Sequence, residues 1–470
     1  AALSKAMLQG EVEPTKIPAC CLDILAQQII AIVAMRDCQV PDLYRSLRKA
    51  YPYRDLTTGT LDSVLEMLSG RYRLSRPLSD APLKRTEPTE VQPSRPTALE
   101  ALNPRVVWDR INNRLEALPG TKHLALTGGG AIPDTGNLAA FTLEGARIGE
   151  LDEEFVFERR VGDAFLLGTN VWRIESIETD RVRVAPAPGA MAVMPFWRGE
   201  GPGRTLDLGR SLGKFLRELA DRLEDPDRLE WVKRECALDT AAARDLFRHV
   251  SRQILIAGCV PNDKTILIEA TRDPLGDWQL LILTPFGSKF HLGLRLALEG
   301  VLTNRMGYRP QCLHHDDGVL VRLTDTAEPP LDLLDWLDPE NIEENILRQL
   351  ADSPLFAVRF RQNASRALLL PRALPGKRSP LWLQRLRGKD LLQVARRHPD
   401  FPIIAETYRE CLQDHLEVSA LAEIIQAARR GEIRVVTRRA ETPCPFAADI
   451  LFDFTAAYMY QQDSVEAESK

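Results

Sequence analysis

The spacing of apolar residues changes along this chain, and no single repeating architecture accommodates the change. Residues 23–70 repeat at helical spacing, with Ile24, Leu25, Ile29, Ile30, Ile32 and Val33 on one face. Val40-Pro41-Asp42 follows, with Pro41 suited to a first helical turn, and then Leu43, Tyr44, Leu47 and Ala50. A turn at Tyr51-Pro52-Tyr53 leads to a third segment with Leu61, Val64, Leu65 and Leu68, closed by Gly70. Three short helices, followed by Tyr72 and Leu74 in a potential wing strand, fit a winged helix over 23–75 or an ordinary three-helix bundle. Residues 76–105 then hold six prolines (77, 82, 88, 93, 96 and 104) and read as a linker or surface excursion.

Beyond the prolines the period shortens. Candidate strands over 105–108, 123–127, 137–142, 155–158, 163–167, 171–177 and 181–186 predict an antiparallel, barrel-like β-rich module over 106–205. Helical spacing returns at 212–223, 241–257 and 293–302, with strands at 264–270, 278–284 and 318–323. Residues 339–352, 380–397, 402–414 and 417–430 read as helices, and 354–370 reads either way. The polar end, 461–470, is expected to fray. The expected fold class is therefore α+β multidomain, with a mixed and mainly helical region over 206–460.

Composition bounds the function. The 470 residues are 44% hydrophobic and 27% charged, as in ordinary globular protein, and the formal net charge is −5. Any nucleic-acid surface must therefore be local. The 8 cysteines are scattered without C-x-x-C spacing, which suits reduced thiols and a cytoplasmic location. The longest apolar stretch, Ile24 to Met35, is interrupted by Gln27 and Gln28 and is too short to span a bilayer.

No nucleotide-hydrolysing motif is complete. Gly209-Arg-Ser-Leu-Gly213-Lys214-Phe215 is one residue short of a P-loop and ends in Phe, and Gly376-Lys377-Arg378-Ser379 lacks the preceding glycine. Ile148-Gly149-Glu150-Leu151 before Asp152-Glu153-Glu154 reads as a turn entry, so those acids do not make a Walker B box. His314, His315 and Asp317 are metal-capable, but neighbours on a strand face opposite ways and Asp316-Asp317-Gly318 is ordinary turn chemistry. No metal, cofactor or catalytic residue is assigned to this chain.

The positive features are basic, aromatic and glycine-rich. From Pro354 to Lys389 there is no acid, while Arg359, Arg361, Arg366, Arg372, Lys377, Arg378, Arg385, Arg387 and Lys389 supply cations. If this begins as a strand, Arg359 and Arg361 share a face; if as a helix, Arg359 and Arg366 align. Arginine forks suit phosphate, so the stretch reads as a nucleic-acid backbone track or as a basic face paired with acidic helices. Pro195-Phe196-Trp197-Arg198-Gly199 offers a Trp for base stacking with an arginine beside it, or a Trp folded onto the module. Gly128-Gly129-Gly130 permits close backbone approach and leads into Ile132.

Taken together, several segments resemble the large helicase-related (Lhr) family. Arg147 to Phe155, Arg160-Val-Gly-Asp163, Pro195-Phe-Trp-Arg-Gly199, Leu283-Thr-Pro-Phe-Gly287, Arg366 to Arg372, Pro380 to Arg385, Glu406 to Cys411 and Pro445-Phe-Ala447 resemble its DEAD/H-associated region. Asp23-Ile-Leu-Ala-Gln-Gln28 and Ala50-Tyr-Pro-Tyr-Arg54 resemble its winged helix. The resemblance implies an ATP-driven, DNA-translocating helicase with two RecA-like motor domains, for which ATP and Mg are expected only in the motors. Residues 1–22 would then be the trailing segment of a motor domain, and this chain the accessory half that clamps single-stranded DNA or a DNA–RNA hybrid for motors in cis or in trans. The alternative is a stand-alone DNA-binding or adaptor protein working with a separate ATPase. The family's apolar wedge and stacking Trp match Ile132 and Trp197. Arg198 and the arginines and lysines of the basic stretch complete the expected contact set.

Overall fold

The computed structural model describes residues 1–72, 102–132, 137–152, 156, 161–167, 170–178, 181–188, 203–324, 326–370, 381–398 and 400–455. The chain forms two compact units: unit one is 1–15, 200–353 and 411–470, and unit two is 16–199 and 354–410.

Helix α1 (Ala2–Leu8) belongs to unit one. Unit two begins with α2 (Leu22–Met35), whose Leu25, Ile29, Ile30 and Val33 are fully enclosed. Strand β1 (Cys38–Gln39) and α3 (Val40–Leu47) follow, with Pro41 in the first turn as its fixed φ favours. Helix α4 (Thr58–Leu68) is capped by Thr57, whose hydroxyl accepts from Thr60 N at 3.1 Å. Strands β2 (Val106–Asp109) and β3 (Arg114–Ala117) pair as a hairpin, and β3 also pairs with β1 across Cys38–Leu115. This is a winged helix, and its wing differs from the sequence expectation. Tyr72 lies in a turn and is buried edge-on to Phe401 at 5.1 Å, while the wing is the 106–117 hairpin expected in the next module.

Helix α5 (Thr121–Gly128) replaces the strand expected over 123–127, because Gly120 at φ 89 turns the chain into a helix. Strands β4 (Asn137–Thr142), β5 (Arg147–Asp152), β6 (Ala164–Leu167), β7 (Asn170–Ile177) and β8 (Arg181–Pro186) make a five-stranded sheet of order β5-β4-β8-β7-β6. The presumed turn entry at 148–151 is thus a strand. The β4–β8 pair runs parallel, so the module is not wholly antiparallel. Phe165, Ile174, Val182, Val184, Leu138 and Leu151 fill its core. The segment 155–158, expected as a strand, lies outside the described residues apart from position 156.

In unit one, α6 (Leu206–Asp221), α7 (Arg228–Cys236) and α8 (Thr240–Ala257) pack around Phe215, Leu219, Val232 and Phe247. Glycines at 209 and 213 let α6 lie against backbone: a Cβ at Gly209 would stand 2.5 Å from Pro285 O, and one at Gly213 2.5 Å from Asp263 N. The near-miss to a P-loop therefore serves close packing. Strands β9 (Thr265–Arg272) and β10 (Trp278–Leu283), helix α9 (Ser288–Met306), and strands β11 (Gln311–His315) and β12 (Gly318–Leu323) come next. Helix α10 (Ile342–Leu350) completes this segment.

The chain re-enters unit two through α11 (Pro354–Arg366), α12 (Leu381–Ala395) and α13 (Pro402–Glu410), so 354–366 is helical. It finishes unit one with α14 (Val418–Arg429) and β13 (Arg434–Arg439). Strand β13 pairs parallel to β9 at the edge of a sheet ordered β11-β12-β10-β9-β13. Among the described residues no helix is long and apolar enough to cross a membrane.

Candidate nucleic-acid interface

Helix α2 turns two polar residues inward, Asp23 and Gln27, four residues apart and therefore on one face, while Gln28 is exposed. Both are buried, Gln27 to 6% exposure. Buried polar groups must find partners, and the partners define a site within unit two. The Gln27 amide nitrogen donates to Gly130 O at 3.1 Å and to Arg366 O at 2.8 Å, and its oxygen accepts from Gly130 N at 3.2 Å. Gly130 sits at φ 121, a conformation that L side chains rarely adopt. At Gly128 a Cβ would stand 2.5 Å from the Leu368 methyl. The glycine-rich segment is thus held at two points, and two residues beyond the clamp Ile132 stands 86% exposed.

The second half of the site is electrostatic. Arg366, the last residue of α11, bonds Asp23, Asn363 and Glu410, the last at 2.8 Å. Burial pulls the Arg366 guanidinium down, but Asp23 and Glu410 outweigh it and lift it above its ordinary value. For Asp23 the balance is opposite: burial pushes the carboxyl up, and Arg366 opposes that only in part. Nearby, Glu406 accepts from Leu22 N at 2.8 Å, which satisfies the start of α2, and from Arg409 at 2.7 Å. Burial nonetheless raises Glu406 from 4.5 to about 7, against the pull of Arg409.

That shift predicts a pH dependence. The unfolded chain ionises Glu406 near 4.5 while the folded chain holds the proton to about 7. Stability contributed by this group is full below 4.5 and falls as pH rises through that window, by about 3 kcal/mol. Urea denaturation at pH 5 and pH 7.5 should show the decline, and Glu406→Gln should flatten it. An equal slope in both proteins would remove Glu406 as its source.

The other expected contact residues fall in different surroundings. Arg359 is buried and donates to Gln362 Oε1 at 2.9 Å. Arg361 is half-buried and lies beside Gly388, where a Cβ would stand 3.1 Å from Arg361 Cγ. Arg387 is half-buried, with its Nε enclosed and without a hydrogen-bond partner among the described residues. Trp197, Arg198, Arg372, Lys377 and Arg378 lie outside the described residues, as does the side chain of Arg385. The structure therefore brings Arg366 together with Ile132's loop through Gln27. Sequence reasoning missed Asp23, Gln27 and Glu410; for the first two the available signal was a pair of polar residues at helical spacing on the buried face of α2.

In unit one His314 and His315 end β11, and Asp316-Asp317 make the structural turn into β12. The Asp316 carboxylate accepts from Arg204 N at 2.7 Å and Ser288 N at 3.0 Å, and Asp317 accepts from the Arg204 guanidinium at 2.6 Å. His314 is half-buried, and the loss of water around it lowers it to about 4. Among the described residues no three His, Cys, Asp or Glu side chains are grouped to hold a metal.

Comparison with known proteins agrees along the chain. The family model described as "Large helicase-related protein, winged helix domain" matches residues 5–79 and 94–194, and the one described as "DEAD/H associated" matches 260–447. The Lhr helicase/probable uracil glycosylase of Mycolicibacterium smegmatis is 41% identical over 99% of this chain, which spans 30% of that protein. The Lhr helicase/uracil glycosylase of Escherichia coli K12 is 38% identical over the whole chain, which spans 29% of it. A solved structure of Mycobacterium smegmatis helicase Lhr bound to ssDNA and AMP-PNP superposes with a TM-score of 0.72 at 35% identity, over 96% of this chain and 50% of that one. With its winged helix and its DEAD/H-associated region both accounted for, the chain belongs to the large helicase-related (Lhr) family.

Proposed function

We propose that this chain is the accessory half of an Lhr-type helicase, holding and steering single-stranded nucleic acid for an ATP-driven motor that it does not itself contain. The carrying observation is the exposed Ile132 on a loop fixed at Gly128 and Gly130. An apolar side chain held in water by buried hydrogen bonds is positioned for a partner, and an unstacked nucleobase offers it an apolar face whatever the base. The Lhr structure bound to ssDNA supports the same partner class. A DNA–RNA hybrid, being a duplex, would be engaged through its unpaired tail, and RecA-like motor domains are the expected partners in cis or in trans. Trp197 and Arg198 remain proposed neighbours of the strand, on their sequence alone.

The reading is tested by fluorescence anisotropy of labelled single-stranded DNA over a salt series. Affinity should fall with salt, as phosphate contacts require, and Ile132→Ala should weaken binding about tenfold at every salt, the loss of the apolar area it covers on a base. ATP hydrolysis should be absent. No binding at low salt, or unwinding driven by this chain alone, would defeat the proposal.

A further inference from the structure

A winged helix offers nucleic acid two elements, its recognition helix and its wing. The recognition position is held by α4, whose exposed or half-exposed residues include Thr58, Thr60, Asp62, Ser63 and Glu66. Its charges are the carboxylates of Asp62 and Glu66, with no cation along the helix. A helix entering a major groove passes between two phosphate rows, so Asp62 opposes that docking, and α4 has no cation of its own to offset it, while Glu66 is taken up by Arg71 and Arg110.

The wing is built differently. Its tip, 110–113, is ordered by Asp109, whose carboxylate accepts from Ile111 N at 2.9 Å, Asn112 N at 3.1 Å and the Asn112 amide at 2.6 Å. Those bonds, the Asn112 side chain's foremost, hold the Asp109 carboxyl below the usual carboxylate range. Asn113 takes a left-handed φ of 55 and its carbonyl accepts from Val40 N at 2.9 Å, tying the tip back to α3. The Arg110 guanidinium stacks 4.6 Å over Trp108 and reaches Glu66 at 3.1 Å. Arg114 stands at the other side of the tip, against Asp37 at 2.6 Å. Ile111, between these two arginines, is 95% exposed. The hydrogen bonds fix the tip's backbone, and the isoleucine adds no burial to its own unit.

An isoleucine flanked by Arg and Asn on a fixed narrow tip has the composition of minor-groove wedges, which part a base step while their polar neighbours follow the groove edges. The flanking ion pairs are exposed and weak, so phosphate can replace their carboxylates. We propose that the wing tip engages duplex nucleic acid, with Ile111 inserted at a base step and Arg110 and Asn112 on the groove edges, while α4 stays out of the groove. The proposal rests on the reading that this chain handles nucleic acid, and it adds a duplex contact to the single-strand one.

The test uses the full chain, a labelled single strand, and a 3′-tailed duplex carrying the same single strand as its tail. Wild type should bind the tailed duplex more tightly, and Ile111→Asp should remove about tenfold from that affinity while leaving single-strand affinity unchanged. A 2-aminopurine in the duplex should brighten when wild type binds and stay dim with Ile111→Asp. Because Ile111 is almost fully exposed, the melting temperature should not move. Equal losses on both substrates, no loss on either, or a change of oligomeric state in Ile111→Asp would each overturn the wing proposal. If wild type binds neither substrate, the single-strand reading falls first; if it binds the single strand and Ile111→Asp is silent, the wing proposal alone falls.

Discussion

Arg366→Ala is expected to lower the stability of this protein by about 3–5 kcal/mol, the usual consequence of breaking a buried ion pair from one side. Asp23 and Glu410 both point at the guanidinium from within the unit, and its removal leaves two carboxylates with little water to replace it. Arg366→Met should lose nearly as much, since shape is not what the carboxylates lack. The triple change Asp23→Leu, Arg366→Met and Glu410→Leu should recover much of the loss. Urea denaturation of the four proteins provides the comparison. If instead Arg366→Ala keeps its stability within about 1 kcal/mol and loses salt-dependent DNA binding, the arginine is a phosphate ligand and the carboxylates only store it.

Gln27→Met is the second large effect. It keeps the volume of the side chain and deletes the bonds to Gly130 N, Gly130 O and Arg366 O. Unsatisfied backbone groups predict a loss of about 2–4 kcal/mol. The more telling readout is binding. If Gln27 fixes the loop that presents Ile132, Gln27→Met should weaken single-strand affinity by about as much as Ile132→Ala, roughly tenfold. The double variant should be scarcely worse than either single one, the mark of coupled residues. Additive losses would show that Gln27 only stabilises the fold. Full affinity in Gln27→Met would show that the loop needs no clamp.

The sequence disclosed the helices of the winged domain well, because Leu25, Ile29, Ile30, Leu61, Val64 and Leu65 repeat at a spacing that only a helix can bury on one side. It misplaced the wing because that decision is made by pairing across a long gap, Cys38 with Leu115, and nothing local to Tyr72 reports it. Residues 123–127 alternate His, Leu, Ala, Leu and Thr, which suits either period, and the left-handed Gly120 decided for the helix. Strand β13 stayed hidden because Arg434, Arg438 and Arg439 mask its two valines, a composition that an exposed edge strand tolerates. The basic stretch teaches the same lesson for the site. Charge can be counted in a sequence but its direction cannot, and Arg366 turns toward Asp23 and Glu410.

The alternation of the two units along the chain has a consequence for biosynthesis. Unit two starts at residue 16 but is closed only by α13, which ends at Glu410, and unit one waits for β13 and the helical turns over 448–455. At about 5–20 residues per second, helix α2 leaves the ribosome roughly 20 to 80 seconds before its last covering helix is made. For that interval α2 can lie against α4, β3 and α5 but not against α11 and α13, so part of its apolar surface stays open and the nascent protein is a natural client for chaperones that shield such surface. Any message cut short before position 410 yields a product with both units open at once, which quality-control proteases would be expected to clear.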